Sequence, residues 1–343
     1  MQAFITTTAV IALFQMTEAA VPTISNYPAP MAVPPPNQVW SNRFLNHPQS
    51  HIPSIPVNTA PSTNSNFNGD VTHCINGNDW GVTYDDGPTN NTQTVLDALA
   101  AHNVKATFFV IGSRVLDGYE FLQKAVAAGH DIGTHTWSHP YLTMLTNEQI
   151  VAEFMWTVTV IKDAVGIVPK YYRPPYGDID DRVRAIASTM GLTAVGWSFA
   201  PGDTAGMTNV SSIMAVRANG TRDGVISLEH DFAYPYAIQA PGSLAAVLKA
   251  GWNVKPLSQC IQNNALYDDW LVMGQGISTS RTVTTGSGTS NTTSFPSTAG
   301  PGNINTAGAH SDTKSASMRS AQSGTVFLLA CVFTVSLVFT VLL

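Results

Sequence analysis

The spacing of apolar positions changes repeatedly between residues 70 and 269. Trp80-Gly81-Val82-Thr83-Tyr84 reads as a strand that ends at a polar turn. Thr92 to His102 follows with Val95, Leu96 and Leu99 on one helical face. The run ATFFVI (106–111) is a buried strand, and Tyr119 to Ala128 is a helix stopped by Gly129. Asp131-Ile132-Gly133-Thr134 is a short strand. Thr146, with Gln149 three residues on, forms the capping box of a long helix. Strand-like runs recur at Leu192 to Trp197 and Val225 to Leu228, with helices before and after. Repeated β-α units predict an α/β fold with a parallel sheet. This many of them predicts a (β/α) barrel or a distorted relative, whose chemistry lies at the C-terminal ends of the strands.

The flanks lack such periods. Residues 21–69 hold ten of the 21 prolines, including Pro34-Pro35-Pro36, and Arg43 as their one formal charge. They read as a Pro-rich extended N-terminal arm lying on the domain at 70–269. Residues 270–315 become Ser/Thr/Gly-rich from Gly276, with Pro296 and Pro301, a composition that cannot bury enough apolar surface to fold and that matches an O-glycosylated stalk. Residues 1–20 contain the apolar run 9–14 followed by Thr17 and Ala19, and read as a secretory signal peptide cleaved near Ala19 or Ala20. A disordered N-terminus is the alternative, since no Lys or Arg precedes the run. Thr325 to Leu343 is uncharged and apolar, long enough for a helix to span a bilayer. With Ser315-Ala316-Ser317 and a polar spacer before it, the segment 316–343 reads as a GPI-attachment propeptide, with Ser315 as the attachment residue. A tail-anchored helix is the alternative.

Charged residues make up only 11% of the chain, against roughly a quarter in an ordinary soluble domain. Lys and Arg total 16 against 22 acidic residues, a net charge of -6, which excludes the basic field a nucleic-acid binder needs. Aromatics at 9% and a mean hydropathy of +0.06 exclude a wholly disordered chain. Of the three cysteines, Cys331 lies in the apolar tail, leaving Cys74 and Cys260 as an even pair that would close the two ends of one domain on each other. Sequons at Asn90, Asn209, Asn219 and Asn291 agree with a secreted glycoprotein. The expected location is therefore the cell membrane, through a GPI anchor, or the cell wall. Nothing in the chain requires a protein partner.

Titratable residues collect after the strand-like runs: Asp85-Asp86-Gly87-Pro88, then His135 to His139, then Arg173-Pro174-Pro175-Tyr176-Gly177, and finally Glu229-His230-Asp231. Successive side chains alternate along a strand end, so one of two adjacent carboxylates can bind a metal while its neighbour does something else. Two histidines at i and i+4 can reach one ion, and with a carboxylate they make a set that leaves positions open for water and substrate. A histidine pair alone is more often coincidence; the aspartate pair, the arginine loop and the further histidine turn the balance. Nearby aromatics are Tyr141, Trp197, Phe232, Tyr234 and Tyr236, of which Trp197 reads as core and Tyr234 as the better candidate for ligand contact.

The runs TYDDGP (83–88), HTWSH (135–139), RPPYG (173–177) and SLEHD (227–231) resemble, in order and spacing, the successive motifs of the polysaccharide deacetylases. These are the NodB-homology carbohydrate esterases, which include fungal chitin deacetylases, and the resemblance spans most of the middle domain. It implies a distorted (β/α) barrel of the NodB-homology type. It implies that Asp86, His135 and His139 hold a divalent metal, usually zinc, with cobalt as an alternative. Asp85 would be the general base, Arg173 would orient it, and the backbone N–H of Tyr176 would help to stabilise the oxyanion. His230 would be the general acid, and Leu228 would line the pocket for the acetyl methyl. The family's Asp-x-x-Asp-Trp run departs here to Ala200-Pro201-Gly202-Asp203-Thr204. Asp203 would keep the role of tuning His230, or is a plain turn residue after Pro201-Gly202. The implied activity is N-deacetylation of N-acetylglucosamine units in chitin, giving chitosan and acetate. The alternatives are another acetylated glycan, partly deacetylated chitosan included, or a non-catalytic wall-associated surface protein. Retention of Asp85, His230 and the metal set favours catalysis over the last.

Overall fold

Strand β1 (Asp79–Asp85) is buried at every position and organises the sheet. Along it, Trp80, Val82 and Tyr84 enter the main apolar cluster, while the intervening Thr83 and Asp85 both meet Arg173. The period of two thus separates packing from chemistry. The structure, a computed structural model, describes residues 24–46, 51–61, 66–263 and 267. The expected signal peptide, the stalk with Asn291 and the attachment segment with Ser315 lie outside the described residues.

Along the chain follow α1 (Gln38–Leu45), β1, α2 (Thr92–Ala101), β2 (Thr107–Val110), α3 (Gly112–Ala127), β3 (Asp131–Thr134) and α4 (Asn147–Val165). Then come β4 (Tyr171–Tyr172), α5 (Asp181–Thr189), β5 (Thr193–Ala194), α6 (Val210–Ala218), β6 (Val225–His230), α7 (Tyr234–Ala237), α8 (Ala240–Lys249), β7 (Asn253–Lys255) and α9 (Leu257–Cys260). The strands pair in parallel in the order β5-β4-β3-β2-β1-β6, and β7 lies against the first half of β1. Beyond β5 the chain reaches Phe199, which bridges in parallel to Ser227 of β6. Ser198 and Phe199 donate their N–H groups to the Ile226 carbonyl, and Leu228 donates back to Phe199. This contact closes the sheet into a barrel at its least regular point, so the barrel is distorted as expected. Cys74 and Cys260, 186 residues apart, form the disulfide. Among the described residues no helix is long and apolar enough to cross a membrane.

Four local expectations change. The N-terminal segment is not wholly extended: the Asn37 side chain caps α1, whose Trp40 and Phe44 are buried in one cluster with Ile150, Phe154 and Val158 of α4. An eight-residue helix is too short to display a period, and one i, i+4 pair is enough to anchor it. Helix α3 begins at Gly112, seven residues before the expected start at Tyr119. Gly112 and Gly118 hide its first half, because their low helix propensity signals a loop. Packing requires glycine at Gly112, where a Cβ would lie 2.7 Å from Thr157 Oγ1. The strand expected over Leu192 to Trp197 is regular only at Thr193–Ala194. Trp197, expected in the core, is half-buried with its ring against Phe67.

Candidate active site

The ends of β1, β3, β4 and β6 converge, as parallel pairing from one end of the barrel requires. Asp85 and His230 are direct partners in the β1–β6 register, so a carboxylate and an imidazole stand on neighbouring strands. The next residue, Asp86, has φ 76, which turns it off the strand line. Gly87 follows, where any Cβ would lie 2.4 Å from an Asp231 carboxylate oxygen.

Asp86 Oδ1 lies 3.4 Å from His135 Nε2 and 3.2 Å from His139 Nε2, and these three donor atoms lie within 4.8 Å of one another. His135 Nδ1 is 2.7 Å from the Arg173 carbonyl, which can only accept, so that nitrogen carries the proton and Nε2 presents its lone pair to the cluster. Asp86 Oδ1 is buried without a hydrogen-bond partner. A buried carboxylate oxygen facing an imidazole lone pair is unfavourable unless a cation lies between them. The set therefore fits a divalent metal, with two nitrogens and one oxygen as ligands. Burial alone would raise the Asp86 carboxyl, but the two facing imidazoles, His135 and His139, hold it well below the usual carboxylate range. Burial lowers the His139 imidazole and so favours its neutral, ligating form.

Against the alternation expected along a strand, the left-handed turn at Asp86 lets Asp85 reach the same cluster. Asp85 Oδ1 accepts from Arg173 Nη1 at 2.8 Å, while its Oδ2 lies 3.7 Å from His135 Nε2. Arg173 is fully buried, and its remaining donors go to Thr83 Oγ1 (2.6 Å), the Val195 carbonyl (3.2 Å) and the Gly196 carbonyl (2.8 Å). Its guanidinium lies 4.3 Å from the centre of the Phe109 ring. An arginine anchored this fully fixes the orientation of Asp85.

His230 is held by Asp203. The Asp203 carboxylate accepts from the His230 N–H at 2.7 Å and lies 3.0 Å from Nδ1. Burial would lower this imidazole, but the Asp203 hydrogen bond and the charges of Asp203, Asp85 and Asp86 push it up to about 9. The Asp203 carboxylate thus makes the contact that tuning of His230 would use, and the residue also starts a 3-10 turn, Asp203–Ala205. Leu228 precedes His230 by two on β6, which places both on one face of the strand. Tyr176 adopts φ 59 and stands half-exposed, its ring 4.5 Å from His139 and stacked on Tyr141 at 4.1 Å. Tyr234 is exposed at the start of α7.

Several residues around the site escaped sequence reading. Glu153 of α4 accepts from the N–H groups of Trp137 and Ser138 and from the Ser138 hydroxyl, and burial pushes its carboxyl up to about 7 despite these donors. It is the one charge in the apolar run 150–161, a signal that was available. Arg114 of α3 donates to the Asp86 carbonyl at 2.6 Å and lies over the Phe232 ring, joining the two sides of the site. Nothing in the local pattern around Arg114 points to that contact. Asp178 accepts from the N–H and hydroxyl of Thr143, tying the segment after Tyr176 to the one after Tyr141.

A parallel β/α barrel with a two-histidine, one-carboxylate set, an arginine-anchored carboxylate and a carboxylate-held histidine is an arrangement that could hold a divalent metal and support hydrolysis. Residues 73–195 match the polysaccharide deacetylase family model. Chitin deacetylase 1 of Cryptococcus neoformans var. grubii is 46% identical over 200 residues, covering 53% of this chain and 43% of the relative. The chitin deacetylase of Amylomyces rouxii is 40% identical over 213 residues, covering 59% and 50%. The chain thus spans about half the length of these curated relatives. The solved chitin deacetylase of Colletotrichum lindemuthianum shares the fold at a TM-score of 0.55 and 21% identity, covering 61% of this chain and 97% of that one. A peptidoglycan N-acetylglucosamine deacetylase matches at a TM-score of 0.53 and 27% identity, covering 57% and 92%.

Proposed function

We propose that the protein is a metal-dependent deacetylase that hydrolyses the N-acetyl groups of N-acetylglucosamine units in chitin, releasing acetate and leaving chitosan. The observation that carries this reading is the pairing of Asp85 with His230 across β1 and β6, beside the Asp86, His135 and His139 set. It provides a base and an acid flanking one point. The chitin deacetylases among the relatives support the substrate.

Asp86, His135 and His139 would hold the ion, with zinc proposed and cobalt as an alternative. When bound, a divalent metal supplies Lewis acidity that polarises the amide carbonyl and acidifies water. Asp85, aimed by Arg173, takes the proton of the attacking water. The Tyr176 N–H donates to the oxygen that gains charge as the carbonyl carbon becomes tetrahedral. His230, held protonated by Asp203, gives its proton to the sugar nitrogen as the C–N bond breaks. Leu228 offers an apolar surface to the methyl group. Tyr234 and the Tyr141–Tyr176 stack offer aromatic faces to neighbouring sugar rings.

A second reading, deacetylation of another acetylated glycan, is favoured by one feature. Ala200 and Thr204, which stand where the family pattern has Asp and Trp, are smaller than those residues and both exposed. For location, the reading is a secreted glycoprotein held at the membrane by a GPI anchor or transferred to the wall. The Cys74–Cys260 disulfide and the exposure of Asn90, Asn209 and Asn219 support it.

The test is acetate release from chitin oligomers by the purified protein with added zinc or cobalt, with chelator, and as the Asp85→Asn variant. Metal-dependent release that falls on the order of 10²–10⁴-fold in the variant is expected. A metal-loaded, folded protein that releases no acetate from chitin, but does so from other acetylated glycans, would move the assignment to the second reading.

A further inference from the structure

The two histidines of the metal set leave β3 through a turn that is costly to hold. Thr136 has φ 67 and His139 has φ 60, and neither is glycine. Left-handed backbone at such residues persists only where the surroundings over-determine it. Between these two positions lie Trp137 and Ser138, whose N–H groups both point at one oxygen of Glu153, at 2.7 and 2.9 Å. The other Glu153 oxygen accepts from Ser138 Oγ at 2.5 Å. Glu153 is fully buried in the middle of α4, a helix capped at both ends, by the Thr146 box and by Gly166 at φ 77. It is not one of the three residues of the metal set.

From this geometry we infer that Glu153 is the positioning residue that sets metal affinity, by holding the His135–His139 turn in the shape that brings both Nε2 atoms onto one point. A carboxylate that collects both N–H groups and the hydroxyl of a tight turn fixes the orientation of that turn as a unit. Without it, three buried donors lose their acceptor and the turn can relax away from its left-handed residues. The two imidazoles, four residues apart, then no longer converge. Groups one step removed from a metal that orient its ligands typically account for about 10–100-fold in affinity. The inference rests on the metal site of the proposed function but not on its substrate.

The test is metal affinity without substrate: competition of zinc and of cobalt against a chromophoric chelator, well below the melting temperature of each variant's metal-free form. Glu153→Ala is expected to weaken both metals about 10–100-fold and to alter the visible spectrum of bound cobalt, which reports ligand geometry. Glu153→Gln is expected to stay within about 3-fold, because its amide oxygen can accept both N–H groups and its amide nitrogen can donate to Ser138 Oγ. Ser138→Ala, which removes one of the three bonds, should fall between them and covers the case in which Glu153→Ala does not fold. Parental affinity and cobalt spectrum in a folded Glu153→Ala, or in Ser138→Ala if that protein does not fold, would overturn the inference. So would a Glu153→Gln protein as impaired as the alanine variant. A parent chain that binds neither metal would instead overturn the metal site itself.

Discussion

The two sides of the site are built differently. On the metal side, each key group is held from several directions: Arg173 reaches Asp85, Thr83 and the carbonyls of Val195 and Gly196, and Glu153 holds the histidine turn. Arg114 fixes the carbonyl of the left-handed Asp86. On the acid side, Asp203 meets both the backbone N–H and the imidazole of His230. Asp203 itself stands on a short turn flanked by the left-handed glycines Gly202 and Gly206, beside the exposed Thr204. In the proposed function the metal side would have to keep three ligands at fixed separation, which suits strained backbone and multiple anchors. The acid side would need only one imidazole kept charged, for which one carboxylate is enough.

This contrast can be broken by substitution. The largest effect is expected for His139→Ala, which should abolish metal retention and acetate release together, checked by metal analysis alongside the activity assay. Activity without metal, or full metal retention without activity, would show that the two are not joined as described. Asp203→Asn should instead leave metal content intact and move the alkaline limb of the pH–rate profile to lower pH. The acid must be protonated, and Asp203 is what lifts His230 to about 9, so its removal brings the loss of activity on alkalinisation earlier. The deficit should be on the order of 10²-fold near pH 9 and smaller near pH 6. An unchanged limb would show that another group donates the proton.

The smallest effect should come from behind the acid. Glu229, buried beside His230 on β6, is pushed by desolvation from 4.5 up to about 8. Because its folded value is raised, the stability it contributes is complete below about 4.5 and is lost as pH rises towards 8. Glu229→Gln removes that titration. Its melting temperature should exceed the parent's at pH 8, on the order of 2–4 °C for each kcal/mol relieved. The gain should vanish near pH 4.5. A difference that does not depend on pH would mean that the carboxyl is not the titrating group.

How far the sequence reaches depends on whether a signal is local. Helix α4 was legible because its capping box and apolar face lie within one run, and β1 because its strand pattern stops at Asp85-Asp86. Asp86, His135 and His139 were legible as a set because their residue types and spacing match the family's motifs. Helix α1 and the first half of α3 were not. One is too short to show a period, and the other starts on a glycine that is there for contact with Thr157.

By itself, then, the sequence determined the parallel α/β class, the likeness to polysaccharide deacetylases and which titratable residues make up the candidate site. These rest on residue types at near-neighbour positions, which a linear reading sees. Only the tertiary structure decided how the barrel closes at Phe199 and Ser227, and that Asp203 faces His230 from 27 residues away. It alone placed Arg114 on the Asp86 carbonyl and Glu153 under the histidine turn. Each of these contacts joins separate elements, and hydrogen bonds of that kind exist only once packing has excluded water and brought the two elements together.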